Sequence, residues 1–196
     1  MKKGFMVLLA LIGALLLIAM AFAGSYNGLV TLDEKVNQAW SQVENVYQRR
    51  LDLIPNLVET VKGYAAHEKS TLTAITDARS RAGGTISPDI ITDPAKFQAF
   101  QQSQGALSSA LSRLLVISEN YPNLKADQNF IALQAELEGT ENRISVERGR
   151  FNEAAQAFNT KFRSFPTNVI GGMFGFRQKE YFKSEAGANK APKVQF

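Results

Sequence analysis

The chain has 196 residues and a formal charge of +4, of which Lys2 and Lys3 at its start supply two. The remaining imbalance is too weak to make nucleic acid a partner, and the length suits one domain with accessory segments. There is no cysteine, which excludes disulfides, thiolate catalysis and thiolate metal sites.

The N-terminus, MKKGFMVLLALIGALLLIAMAFAGSYNGLV, carries no charge from Gly4 through Leu32, and its dense apolar part runs from Phe5 to Ala23. A membrane-spanning helix needs about 20 apolar residues, which this stretch supplies. A cleavable signal peptide is the competing reading, because Lys2 and Lys3 form a basic start and Ala21-Phe22-Ala23 resembles a cleavage site. The apolar core of a signal peptide is usually only about 7 to 15 residues, so a retained anchor is preferred. Lysines ahead of the span and only Lys35 soon after it favour a cytoplasmic N-terminus, with the rest of the chain on the outer face of a bacterial cytoplasmic membrane. Ala10 and Ala14 have the small-xxx-small spacing of helix contacts, although a lipid-facing role explains them equally well.

From Val36 onward apolar residues recur at Val36, Trp40, Val43, Tyr47, Ile54, Leu57, Val61 and Tyr64, a coiled-coil-like seam in which position 50 completes the alternation of four and three. Pro55 lies within it. Proline removes a helical N–H and crowds the carbonyl four residues back, yet the seam keeps its phase, so a kinked continuous helix is expected locally. Unbroken, that helix would run from about Gly28 to Arg81 and extend on the order of 80 Å, which favours a break at Pro55 into an antiparallel pair instead. The expectation is a first helix kinked or broken at Pro55. After the RAGGTISPDIITDP loop, Asp93 can cap a helix with the seam Phe97, Phe100, Gln104, Leu107, Leu111, Leu114 and Ser118. Asp127 can cap the last long helix, with the seam Phe130, Leu133, Leu137, Thr140, Ile144, Glu147, Phe151, Ala154 and Phe158.

The pattern therefore predicts an all-α protein: an N-terminal transmembrane anchor over 1–25, an elongated up-and-down bundle of four-helix type over 26–165, and an aromatic, glycine-rich strap with a disordered end over 166–196. In the strap, Phe174, Phe176, Tyr181 and Phe182 are candidate docking aromatics.

The segments AWSQVENVYQRRLDLIPNLVETVKGYAAHE, YPNLKADQNF, LEGTENRISVERGRFNEAAQAFNTKFRSFP and FGFRQKEYF, in this order, resemble the LemA family from about Tyr26 to Phe182. The resemblance implies a membrane-anchored helical bundle, in a family widespread in bacteria that includes proteins associated with magnetosome membranes. It implies no particular activity.

The residues themselves argue against catalysis. His67 is the only histidine, so a zinc site or a histidine-based triad could draw on one imidazole only. A di-iron bundle needs Glu-x-x-His pairs, and Tyr64 stands three residues before His67. Asp33, Glu34, Glu136, Glu138, Glu141 and Glu147 supply carboxylates without a partner group, and such residues usually form solvated helix faces. GGMFG follows no strand, so it is not a phosphate loop. No enzyme activity, cofactor, metal or small-molecule substrate is expected; the expected partners are the lipid bilayer and other proteins, including further copies of the chain. The residues of interest are Arg49, Arg50, Asp52, Pro55, Glu141, Arg143 and Glu147. Two readings of Arg50 stay open: a stem lying along the apolar face with its guanidinium in solvent, or a polar layer inside the bundle that fixes register and partner choice. A scaffold or assembly role is the primary reading, and a lipid- or peptide-binding module using VIGGMFGF as an apolar flap is the second.

Overall fold

The computed structural model describes residues 2–87 and 89–183, where every regular element is helical. They are α1 (Lys2–Tyr64), α2 (Lys69–Gly84), a 3-10 turn (Ile90–Thr92), α3 (Pro94–Ser118), α4 (Pro122–Lys125), α5 (Gln128–Arg163) and α6 (Thr167–Met173). The terminal residues expected to be disordered lie mostly outside the described residues.

α1 is 63 residues long. Its first part, rich in Leu, Ile and Met, stands clear of the rest of the chain and is the one segment among the described residues long and apolar enough to cross a membrane. Beyond Leu29 the character changes. Val36, Trp40, Val43, Tyr47, Ile54, Leu57 and Val61 are buried along one stripe, as a 3.6-residue period requires of a helix packed on one side.

Of the kink or break expected at Pro55, the break does not occur: α1 continues through it to Tyr64. Pro55 lies on the exposed face, and the Leu51 carbonyl that its ring deprives of a helical donor accepts instead from Arg79 Nε of α2 at 2.7 Å. The chain turns ten residues later, at Ala65–Glu68, through Ala65 N to Val61 O (2.8 Å) and Glu68 N to Ala65 O (3.0 Å). No Gly, Pro or Asn marks this turn. Tertiary contacts hold it, with Ala65 fully buried in the same apolar cluster as Leu124 and Glu68 accepting from Tyr121 Oη at 3.0 Å. Tyr64, expected on the seam, is exposed and donates to Asp127 at 2.9 Å.

α1 packs along α5, and α2 packs along α3. Both expected caps are present: Asp93 accepts from the Ala95 and Lys96 amides, and Asp127 from the Phe130 amide at 2.9 Å. The interior divides into two clusters. The one nearer the span is aromatic, with Trp40, Tyr47, Phe97, Phe100, Phe151 and Phe158. The far one is mainly aliphatic, with Leu51, Ile54, Leu57, Val61, Leu72, Ile75, Leu107 and Leu114 around Phe130. α2 reaches only the far cluster; in the near one the chain after α6 takes its place, inserting Phe182 among Trp40, Phe97, Phe100 and Phe151.

Candidate interaction site: a polar layer and the groove beside it

The two apolar clusters meet at Arg50. On α1 the near cluster ends at Tyr47 and the far one begins at Leu51, so the helical period leaves position 50 facing the junction. Arg50 is 2% exposed. Its guanidinium is buried with the stem and is bonded to other helices. Nη1 donates to Ser108 Oγ at 3.0 Å and to Glu141 Oε2 at 2.9 Å, and Nη2 donates to the Gln104 side-chain oxygen. Gln104 Nε2 in turn reaches the Ala82 carbonyl at 3.4 Å. One arginine thus ties α1 to α3 and α5 directly and to α2 through Gln104. Its face lies 5.2 Å from the Tyr47 ring centre, and Nε has no acceptor among the described residues. Thr140 of α5 is also fully buried and donates within its own helix, to the Glu136 carbonyl at 2.7 Å. Burial pushes the Tyr47 phenol above its ordinary value, the neighbouring Arg148 and Arg50 opposing the shift.

α3 and α5 make little contact with each other, and two clefts open between them over α1. The first, about 400 Å³, is polar and contains Arg50, Gln101, Ser109, Arg148 and Lys183. The second, about 320 Å³, runs along Leu57, Leu111, Leu115 and Leu137. Arg50, Ser108 and Glu141 line both, so the Arg50–Glu141 bridge divides one groove into a cationic half and an apolar half. The Glu141 side chain is 58% exposed at the rim.

The LemA family model matches residues 39–196, which include every residue of this layer and its groove. The chain belongs to the LemA family. It is 28% identical over 177 residues to the magnetosome protein MamQ 2 of Paramagnetospirillum magneticum, covering 82% of this chain and 65% of that protein. It is 29% identical over 174 residues to the magnetosome protein MamQ of Magnetospirillum gryphiswaldense, covering 80% and 64%. A protein named LemA from Metamycoplasma hominis is 27% identical over 150 residues, covering 76% and 64%. The chain therefore spans less than two thirds of the length of these relatives.

In this LemA-family chain the other residues singled out from sequence do not converge on Arg50. Arg49 pairs with Glu136 at the surface, Asp52 accepts from Gln48 at 2.7 Å, Glu147 pairs with Arg150 at 2.8 Å, and Arg143 is exposed. Asp52 and Glu147 are thus not partners of Arg50; Glu141 is. Among the described residues no group of three His, Asp or Glu is placed to hold a metal ion, and His67 is exposed in the turn after α1.

The aromatics of the C-terminal segment are distributed over three environments. Phe182 is in the core, and Phe176 packs beside Phe158 and Tyr26. Tyr181 is half-exposed, its hydroxyl accepting from Asn159 at 2.9 Å. Phe174 is exposed, 4.7 Å from the Tyr26 ring. VIGG, expected in a flap, forms part of α6, where Ile170 and Gly171 pack inward and Val169 and Gly172 are exposed. Two asparagines that sequence reasoning missed hold the extended segment. Asn159 exchanges a pair of hydrogen bonds with the Lys179 backbone (2.8 and 2.9 Å), and Asn152 does so with Phe182 (both 2.9 Å). Their seven-residue spacing on α5, which puts both amides on one stripe, was the readable signal. Lys179 is buried with Asp33 at 2.7 Å, fastening the same segment to α1.

Proposed function

We propose that the protein is a membrane-anchored interaction module whose α3–α5 groove receives a protein partner, with the Arg50–Glu141 bridge setting the register of contact. The observation that carries this reading is the arginine at the floor of an open groove, bonded to three helix-borne side chains and leaving an exposed carboxylate at the rim. A buried polar group of this kind contributes less to stability than to choosing among packings and partners. Similarity to proteins named for the magnetosome, together with the apolar first part of α1, supports work at a membrane.

The finer organisation belongs to the same proposal: an anchor over 1–25, an elongated up-and-down bundle over 26–165 and a docked segment with its tail over 166–196. The N-terminus is cytoplasmic and the bundle lies outside a bacterial cytoplasmic membrane, a topology that protease digestion of spheroplasts tests directly. For the groove, a photocrosslinking residue at Ser109 or Ser112 in the native membrane should give a discrete protein adduct that Arg50→Leu abolishes while the fold is kept. Equal adducts from the off-groove position Gly63, or none from either groove position, would end the proposal.

A second reading, a lipid or peptide ligand, is supported by the apolar half of the groove along Leu57, Leu111, Leu115 and Leu137. Mass spectrometry of gently purified protein, searching for a co-purified acyl chain or peptide, separates it from the first.

A further inference from the structure

The region around α6 has a surface that the bundle does not use. Thr167, Ile170 and Gly171 turn inward, where Gly171 stands against Phe162 and Leu29. The opposite side is as apolar as the inner one: Phe165 is 85% exposed, Val169 53%, Met173 71% and Phe174 55%. Val169 and Met173 are one turn apart on α6, and Phe165 and Phe174 flank its two ends, an apolar stripe within one short segment. Isolated exposed apolar residues are ordinary, but four large ones on a short segment mark a contact surface.

The position of this stripe identifies what covers it. Phe174 lies 6.3 Å from the ring of Phe22 and 4.7 Å from that of Tyr26, both on α1. The apolar run from Phe5 to Ala23 is about 28 Å long as a helix, close to the thickness of a bilayer's hydrocarbon core, so Phe22 stands at its edge. Tyr26 and Phe174 then fall at headgroup level, where aromatic side chains collect. Charge agrees with this placement. No Asp or Glu occurs between Glu153 and Glu180, whereas Lys161, Arg163 and Arg177 are all exposed and none is in an ion pair among the described residues. On the neighbouring turns of α1, Asp33 is matched by Lys179, while Glu34 beside it is exposed, one acidic group against the three cations.

We propose that the Phe165–Phe174 stripe, with Lys161, Arg163 and Arg177, is a second membrane contact that beds into the headgroup zone of an anionic bilayer. Apolar side chains enter the acyl boundary, the three cations meet lipid phosphates, and α1 is held at two points instead of one. This inference rests on the proposal that α1 spans a membrane.

The absence of native cysteine allows a clean test with full-length protein in vesicles. Single cysteines at Val169, Met173, Leu11 and Val146 are labelled with an environment-sensitive fluorophore, in phosphatidylcholine alone or with phosphatidylglycerol, with or without a lipid-borne quencher. Labels at 169 and 173 should emit to the blue and be quenched several-fold more than the label at 146. Quenching should be stronger with phosphatidylglycerol, and Lys161→Gln/Arg163→Gln/Arg177→Gln should remove that difference. Quenching at 11 but not at 169 or 173 overturns the second contact while leaving the anchor in place. No quenching at 11 overturns the anchor, and the contact with it. A blue shift at 169 and 173 without lipid quenching assigns the stripe to a protein and overturns the proposal, and equal quenching in both lipids overturns its preference for anionic headgroups.

Discussion

Arg79 Nε donates to the Leu51 carbonyl at 2.7 Å, the acceptor that Pro55 leaves open four residues further along α1. A proline in the longest helix is thereby tolerated, and the vacancy it creates becomes the place where α2 is fastened to α1. Arg79→Ala should cost about 1–2 kcal/mol, the range for stranding a partly buried acceptor. Pro55→Ala restores an N–H for the same carbonyl, so the double variant should be less destabilised than the two single effects predict, by about 1 kcal/mol. Strict additivity in urea unfolding would show that the two residues are unconnected.

Gly171 and Gly172 are neighbours in α6 with opposite requirements. A Cβ on Gly171 would meet two ring carbons of Phe162 at 2.7 Å, whereas one on Gly172 would meet nothing within 4 Å. Gly171→Ala should therefore destabilise by about 1–3 kcal/mol through overpacking. Gly172→Ala should be neutral or stabilise by up to about 1 kcal/mol, because alanine is the better helix former. Thermal melts of the pair decide it, and similar melting temperatures would mean that α6 does not pack as described.

The Arg50–Glu141 bridge joins a buried member to an exposed one, so its two truncations should differ. Arg50→Ala leaves Gln104 without its partner and opens a hole at the junction of the clusters, at a cost of about 2–3 kcal/mol. Glu141→Ala leaves a guanidinium that still holds Ser108 and Gln104 and that groove water can approach, at about 1 kcal/mol. Denaturant titration of both variants measures the difference; a larger loss for Glu141→Ala would reverse the assignment of buried and exposed roles.

Acid should weaken the fold through two carboxylates. The Phe130 amide holds Asp127 below its ordinary value near 3.8, with Tyr64 adding to the effect, and the Lys96 ammonium does the same for Asp89. A carboxylate with a depressed folded-state pKa contributes stability that is complete above its unfolded value and lost as pH falls through the folded one. Melting temperature should thus decline below about pH 4, and Asp127→Asn, which keeps a good cap without the charge, should flatten that limb. An unchanged acid slope in Asp89→Asn/Asp127→Asn would assign acid sensitivity elsewhere.

Much of this architecture is written in helical phase. The stripes on α1, α3 and α5 follow from spacing alone, down to Gln104 and Thr140 inside the core, and Asp93 and Asp127 announce their helices through capping chemistry. Arg50 could be placed at the seam but not oriented, since its choice between solvent and Glu141 depends on how far apart α3 and α5 stand. The turn at Ala65–Glu68 carries no local signal because its determinants, Leu124 and Tyr121, are more than fifty residues away. The open carbonyl at Leu51 follows from Pro55 alone, but nothing local shows that its donor is Arg79, 28 residues away on another helix.

The continuity of α1 has a mechanical consequence. At about 1.5 Å per residue its 63 residues form a shaft on the order of 95 Å, and Arg50 sits roughly 40 Å beyond the end of the apolar run at Ala23. If α1 spans a membrane as proposed, it tilts as such helices do, by about 20° on average with adjustment to bilayer thickness, and a stiff shaft not pinned at its second contact would carry Arg50 sideways by roughly 14 Å between upright and tilted states. Distances from Arg50 to the bilayer plane, measured in lipids of short and long acyl chain, would show whether the shaft leans. If it does, membrane thickness alone sets how far the groove reaches from its anchor, and a neighbour fixed at one spot in the bilayer meets it in one lipid and misses it in another.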